Sequence, residues 1–318
     1  MGWLVSFVCS TPAYMSYSRS IRRYFVGSNR RWDRYNRSLV DRVHDLLNPG
    51  FLQHWRILLE EINRGKRGRP FKTPNAFILF LAKIRAMFGV PFRTLQALAR
   101  IISSATGIPC LSYSRIFKRI RSIRPALDPV TGKMDGAIDS SGFKITMRGD
   151  YLGSKWKKKR KGWNKLHVVV SIHDVSVLSF SITDEHGNDS RNGRKLLEKV
   201  ARSLKSLLGD KAYDSRGIHN LLSDAGVKAI IPPRKNASTQ AKGSPARARV
   251  VRRVRKIGED QWKKENEYGR RWLVEIYFSG LKRTMGEVIK ATRPDNIAQE
   301  IAMKVVWYNE MRHMTEAY

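Results

Sequence analysis

The sequence predicts an α/β protein, a mixed sheet flanked by helices, preceded by an all-α segment resembling a helix-turn-helix. Three observations carry this. From Lys133 onward, short apolar runs alternate with amphipathic periods in the order strand, hairpin, helix, strand, helix, strand, helix, which suits a mixed sheet covered by helices. Upstream, three short helical stretches are separated by Gly/Pro turns. Finally, 318 residues with 42% hydrophobic content can bury a normal core in about two domains. The expected regions are a basic N-terminal stretch over 1–68, a helical domain over 69–125 and the α/β domain over 126–318.

The elements follow in order. One helical stretch runs around Leu39 to Ile62, and Lys66-Arg67-Gly68-Arg69-Pro70 makes a basic, breaker-rich junction. Thr73-Pro74 reads as an N-cap followed by proline at the first helical position, opening a helix to about Phe88. Gly89-Val90-Pro91 breaks it. A second helix from Pro91 to about Ser104 sets Leu95, Leu98 and either Ile101 or Ile102 on one face. After Gly107-Ile108-Pro109, Ser112 or Ser114 caps a short third helix carrying Arg115, Lys118, Arg119, Arg121 and Arg124. Short helices with tight breaks and a basic last member suggest DNA reading; a purely structural subdomain is the plainer alternative.

Met134 to Asp139 reads as a strand. Lys165 to His173 and Val175 to Thr183 read as a hairpin around Asp174. Helix is expected over Arg191 to Leu204, strand over Lys205 to Asp210, helix over Arg216 to Ala225, and strand over Val227 to Ile231, ended by Pro232-Pro233. A long helix from about Asp260 to Lys290 and a last one from Asn296 to about Met311 complete the chain.

The charge is extreme. Lys plus Arg number 61 against 27 acids, a net +34, which points to a polyanion partner bound largely through counterion release. No 18-residue apolar run exists, so a membrane partner is not expected. Two cysteines, Cys9 and Cys110, exclude a disulfide framework and a cysteine-rich zinc site. No Gly-x4-Gly-Lys-Ser/Thr occurs, so phosphoryl chemistry here would run without a nucleotide cradle.

Arg271, Glu275, Phe278 and Lys282 recur at spacings of four, three and four, so a continuous helix would place them on one face, with Tyr268 one turn earlier. A carboxylate between two cations suits a metal ion beside a phosphate backbone. Asp139, in Ala-Ile-Asp-Ser-Ser-Gly, and Asp210, in Leu-Leu-Gly-Asp-Lys-Ala-Tyr, each end an apolar strand-like run. With Glu275 they form a candidate three-carboxylate site for Mg²⁺ or Mn²⁺, hard cations that take oxygen ligands and keep waters for a phosphate. Two such ions roughly 3.5–4 Å apart can serve an in-line phosphoryl transfer.

The surrounding motifs are more specific than the spacing. Ala137-Ile-Asp-Ser-Ser-Gly-Phe143, Gly209-Asp-Lys-Ala-Tyr-Asp-Ser215 and the block Tyr268-x2-Arg271-x3-Glu275-x6-Lys282 resemble the DDE transposases of bacterial and archaeal insertion sequences. The third block matches that family's tyrosine–arginine–glutamate–lysine signature, and Gly162 to His167 and Asp189-Ser190 resemble its intervening landmarks. The similarity covers roughly residues 70 to 315. It implies a ribonuclease-H-like catalytic fold, two divalent ions and recognition of transposon-end DNA. It also implies metal ligation by Asp139, Asp210 and Glu275, with Tyr268, Arg271 and Lys282 contacting or positioning the DNA end. Only 64 residues separate Asp210 from Glu275, leaving no room for the large β insertion of some relatives.

Other acids and histidines read more plainly. Asp135, Asp174, Asp184 and Asp214 suit loops or caps; His167 suits packing within its strand, and His186 suits a loop. Two basic runs suit DNA: Lys155 to Lys161, including Lys157, Lys158, Lys159 and Arg160 beside Trp156, and Arg234 to Lys256, including Arg252, Arg253 and Arg255. Glycine, proline and serine make the second read as a flexible loop. Arg115, Lys118 and Arg119 are the helical DNA candidates. The function expected is metal-dependent cutting at element ends and transfer of the 3′-hydroxyl into target DNA. A homodimer on double-stranded terminal repeats and target DNA, in a prokaryotic cytoplasm on the nucleoid, would carry it out. The rivals are a nuclease of the same fold that cuts without joining, and an inactive basic DNA-binding protein.

Overall fold

A computed structural model describes residues 32–145, 163–184 and 187–314. The chain divides into two compact units, residues 1–41 and 42–318. Of the first, only the beginning of helix α1 (Trp32–Leu46) is described. The boundaries expected at 69 and 126 fall inside the second unit.

That unit continues with α2 (Trp55–Asn63), α3 (Asn75–Phe88), α4 (Phe92–Thr106) and α5 (Tyr113–Arg121). The single stretch expected over 39–62 is therefore two helices, parted after Leu46 by Pro49, which cannot continue a helix, and a 3₁₀ turn over Gly50–Leu52. Gly89 closes α3 in the left-handed conformation at φ 62°, as a glycine C-cap does. Pro74, not Thr73, occupies the cap position of α3, with no side-chain cap bond. In α4, Leu95 and Ala99 are buried and Ile101 is 65% exposed, so Ile102 joins the apolar face.

The sheet contains β1 (Met134–Ile145), β2 (Trp163–Ser171), β3 (Val177–Asp184), β4 (Leu204–Gly209), β5 (Lys228–Ile230) and β6 (Val288–Ile289). Its order is β3-β2-β1-β4-β5, with β6 pairing the far end of β1. The first three strands are antiparallel, and β4, β5 and β6 join in parallel. This is the ribonuclease-H-like arrangement. β1 runs six residues beyond the expected Asp139, because β2 pairs with it as far as Lys144 and β6 takes up Lys144 and Ile145. The helices between and after the strands are α6 (Asp189–Val200), α7 (Arg216–Asp224), α8 (Pro245–Ile257), α9 (Glu259–Glu265), α10 (Leu273–Met285) and α11 (Pro294–His313).

Alternation along the strands builds two cores, one on each face. Ala137, Phe143 and Val168 pack with Val274, Tyr277 and Leu281 of α10, Ile301 and Val305 of α11, and Phe77 and Leu81 of α3. Ile138, Val169 and Leu207 pack on the other side with Leu196 and Leu197 of α6 and Ile218 and Leu222 of α7. Helices α3 to α5 therefore share a core with the helix that carries Glu275.

Two further expectations are corrected. The long helix over 260–290 is broken: α9 stops at Glu265, Glu267 adopts φ 49°, and a 3₁₀ turn over Tyr268–Trp272 leads into α10. Nor is 234–256 a flexible loop throughout. Pro245 opens α8, whose Ala248, Val251 and Val254 are buried at helical spacing. Asp214, expected in a loop or cap, anchors this segment with a fully buried side chain. It accepts two bonds of 2.6 Å from Arg247 and one of 2.8 Å from the Arg234 amide. Asp135 likewise lies within β1, bonded to Ser206 and Arg270.

Candidate active site

The first two acids are neighbours by register. Ile138 in β1 lies opposite Gly209 in parallel β4, so Asp139 and Asp210 come next, side by side, where β4 ends. Asp210 turns the chain into a 3₁₀ helix (Lys211–Tyr213), its Oδ1 accepting from the Ala212 amide at 2.9 Å. Asp139 lies on the face of β1 that α10 covers. Glu275 enters from the first turn of α10, its side chain 57% exposed.

Arg271 joins two of the three. Its Nη1 donates to Asp139 Oδ2 at 3.0 Å and its Nη2 to Glu275 Oε1 at 2.6 Å. The 3₁₀ turn does not place Tyr268 on the stripe of α10 as one continuous helix would. It swings the tyrosine to β4, where the hydroxyl donates to the Gly209 carbonyl at 3.1 Å. Burial pushes Tyr268 up to about 12, so it stays a donor throughout the neutral range. Phe278 of the expected stripe is buried in the core, and Lys282 lies half-buried with its ammonium 5.6 Å from the Phe143 ring in β1. Burial lowers the Lys282 pKa.

Burial also raises the Asp139 carboxyl above the ordinary carboxylate value. Repulsion from Asp210 and Glu275 adds to this, while the Ser140 amide and Arg271 oppose it. A mostly buried Asp139 that feels two neighbouring acids makes a site that favours added positive charge.

A fourth acid lies on the opposite face of β1. Asp189, at the start of α6, accepts from Ser140 Oγ at 3.0 Å and pairs with Lys165 Nζ at 2.6 Å. His167, fully buried, approaches it at 3.4 Å and bonds Thr183 at 2.9 Å through its other nitrogen. Tyr213 closes in from the 3₁₀ helix after Asp210. Gly193 of α6 lets its ring approach, since a Cβ there would meet ring carbons at 2.8 Å. The sequence motifs mark Asp189 only as a landmark; its signal is an acid in the first turn of a helix, just after the N-cap Asn188.

The DNA candidates divide. Arg115 and Lys118 are exposed on α5. Arg119 instead turns inward, donating to the Thr73 carbonyl at 2.5 Å and Asn75 Oδ1 at 2.6 Å, so it ties α5 to the start of α3. Arg252 and Arg255 bond the carbonyls of Thr239 and Ala237, and Arg253 pairs with Glu265. Lys157, Lys158, Lys159 and Arg160 lie outside the described residues, as does His186.

A family model described as a transposase DDE domain matches residues 131–309, and a second of that description matches 42–148. The chain belongs to the DDE transposases. It is 24% identical over 297 residues to a probable transposase for insertion sequence element ISA1214 of Archaeoglobus fulgidus, covering 87% of this chain and 86% of that one. Among solved structures it is similar to a piggyBac transposase synaptic complex with hairpin DNA. There the identity is 12%, with 88% of this chain and 76% of that chain covered, at a TM-score of 0.41. The Drosophila P element transposase strand transfer complex aligns at 10% identity over 85% of this chain and 86% of that chain, at a TM-score of 0.30.

Transposases of this family use divalent metal. The donor chemistry here fits, because three carboxylates supply only hard oxygen ligands. Among the described residues, no three acidic, histidine or cysteine side chains converge tightly enough to enclose an ion as they stand. No helix of the transposase among those residues is long and apolar enough to cross a membrane.

Proposed function

We propose that the transposase cuts DNA at the terminal repeats of its element, and joins the exposed 3′-hydroxyl to target DNA, at Asp139, Asp210 and Glu275. The observation that carries this reading is the parallel register that sets Asp139 beside Asp210, with Arg271 linking Asp139 to Glu275. Mg²⁺ or Mn²⁺, as a pair, would be held by these three carboxylates and would supply Lewis-acid stabilisation of charge on the reacting phosphate.

The chain's own residues bind and orient. Tyr268 fixes the turn that carries Arg271 against the end of β4, next to Asp210. Arg271, already beside two carboxylates, can turn a planar, bidentate donor face to a phosphate adjoining the scissile bond. Lys282 adds a second cation two turns along α10. Since phosphoryl transfer needs little covalent chemistry from the protein, positioning and charge stabilisation carry the rate, and no nucleotide energy source is required. Two copies of the chain, one at each end, would bring the ends together.

The test is metal-dependent nicking of a terminal-repeat duplex. Asp139→Asn, Asp210→Asn and Glu275→Gln should each lose at least about a hundredfold in rate while the fold and most DNA binding persist. Full nicking by Asp210→Asn in Mg²⁺ would sink the assignment. A strand-transfer assay with a pre-cut 3′-hydroxyl end separates joining from cutting alone.

A further inference from the structure

Between the helical segment and the start of α11 lies a cleft of about 500 Å³. Its walls are α3, α4 and α5 on one side, and the β6–α11 connection with the first turns of α11 on the other. Phe92 and Phe117, packed edge to face at 5.2 Å, form part of its floor. The same two rings line a second hollow of about 380 Å³, whose far side is formed by Arg93 and Tyr113. Arg93 stacks over the Tyr113 ring at 5.2 Å, and Tyr113 is 43% exposed. The two hollows adjoin at Pro91, Phe92 and Phe117, which line both, and together they make an aromatic-lined groove.

The groove is strongly cationic. Arg121, Lys290 and Arg293 are exposed at its rim, and among the described residues none of the three has an acid partner. The acid that lines the cleft, Glu300, is already used. It accepts from the Lys290 and Ala291 amides at 2.9 and 3.0 Å and lies 3.7 Å from Arg85. Those bonds hold the 290–293 connection in place and leave its cations without a protein anion. The opposite wall is fastened too. The Gln299 amide donates to the carbonyls of Ile120, Arg121 and Ile123, tying the end of α5 to α11. The groove is therefore preformed.

Cations that track phosphates, interleaved with rings on which bases stack, are the physical requirements for holding an unpaired strand. A duplex keeps its bases stacked on one another and would leave the aromatic floor unused. We infer that the groove formed by Phe92, Tyr113 and Phe117 with Arg121, Lys290 and Arg293 binds unpaired nucleotides of a DNA strand. This rests on the reading of the chain as acting on DNA, and it assigns the surface between the helical segment and the start of α11 to single-stranded DNA.

The experiment uses the full chain without added metal, so that no cleavage contributes. Binding of a thymidine oligomer and of a blunt duplex is titrated against salt for wild type, the triple variant Arg121→Gln/Lys290→Gln/Arg293→Gln, and Phe117→Leu. The triple variant should lose single-strand affinity, and its log–log salt slope should fall by about 2, since each neutralised phosphate on a single strand contributes about 0.7. Phe117→Leu should weaken the oligomer about tenfold with its salt slope unchanged, because a stacked base and not a charge is removed. An oligomer bearing 5-iodouracil should crosslink to Phe92, Tyr113 or Phe117. Unchanged oligomer affinity in both variants, equal losses on oligomer and duplex, or crosslinks confined elsewhere would each overturn the inference. Wild-type nicking of the terminal-repeat duplex, read separately, shows whether the transposition reading fails on its own account.

Discussion

The Tyr268 hydroxyl donates to the Gly209 carbonyl at 3.1 Å, so the turn preceding Glu275 is fastened to the residue preceding Asp210. One bond thereby couples the two chain segments that supply the second and third acids. Tyr268→Phe removes the donor and leaves that carbonyl without it. Stability should fall by about 1 kcal/mol, the usual net worth of such a bond. Single-turnover nicking should slow by about tenfold or more, as when a group supporting a metal site is removed. Unfolding in urea and a nicking time course on one preparation check both figures.

Arg271 and the basic segment upstream should fail in different ways. Arg271→Ala takes the shared partner from Asp139 and Glu275, and should lose cleavage while retaining most DNA affinity. Lys235, Lys242 and Lys256 form no ion pair or side-chain hydrogen bond among the described residues. Changing all three to Gln should weaken binding to every duplex alike and flatten its salt dependence, by about 0.9 in log–log slope for each phosphate no longer neutralised. Normal cleavage by Arg271→Ala, with loss of sequence preference only in the triple lysine variant, would reverse the two assignments.

Asp214 and Arg247 test whether the basic segment is structured. Burial opposes the Asp214 charge, but the nearby His219 ring, 3.3 Å away, and the bonds from Arg247 and the Arg234 amide outweigh it and hold the carboxyl far below its ordinary range. A depressed acid stabilises the fold above its unfolded pKa, and that contribution disappears as pH falls through the folded value. The pair should therefore matter fully at neutral pH. Arg247→Ala leaves a buried, uncompensated charge and should cost about 3–5 kcal/mol. Trypsin should then cut between Arg234 and Lys256 much faster than in wild type.

Lys304 offers a test at alkaline pH. It is buried in α11, donating to the carbonyls of Met285 and Gly286 at the end of α10, and burial lowers its pKa to about 8 from 10.5. Between those values the folded chain binds fewer protons than the unfolded chain, so this lysine's contribution to stability rises with pH across that window. The neutral amine still has two hydrogens for two carbonyls. Lys304→Met should be less stable at neutral pH, and the wild-type midpoint relative to the variant should climb from pH 8 to 10.5. A difference that stays flat or falls would show that the lysine is not held in its lowered state.

Local patterns made some of this legible in the chain. Apolar runs ending in Asp139 and Asp210, and helices closed at Gly89 and Gly107, depend on interactions within a few residues, so periodicity and capping residues report them directly. The motif around Arg271 and Glu275 was likewise readable as a spacing of four, which the 3₁₀-to-α junction preserves. The break at Glu267 was not, because an amphipathic repeat continues across it, whereas in the fold Glu267 takes φ 49° and Tyr268 bonds β4. The extension of β1 to Ile145 needs partners from β2 and β6, and the order of α8 needs Asp214, 33 positions before Arg247. The pairing of Asp139 with Asp210 is a matter of strand register, and the aromatic groove draws its two walls from helices and a connection far apart in sequence. Local hydrogen bonding and amphipathy are properties of neighbouring residues, while register, buried ion pairs and clefts belong to residues that only the folded chain brings together.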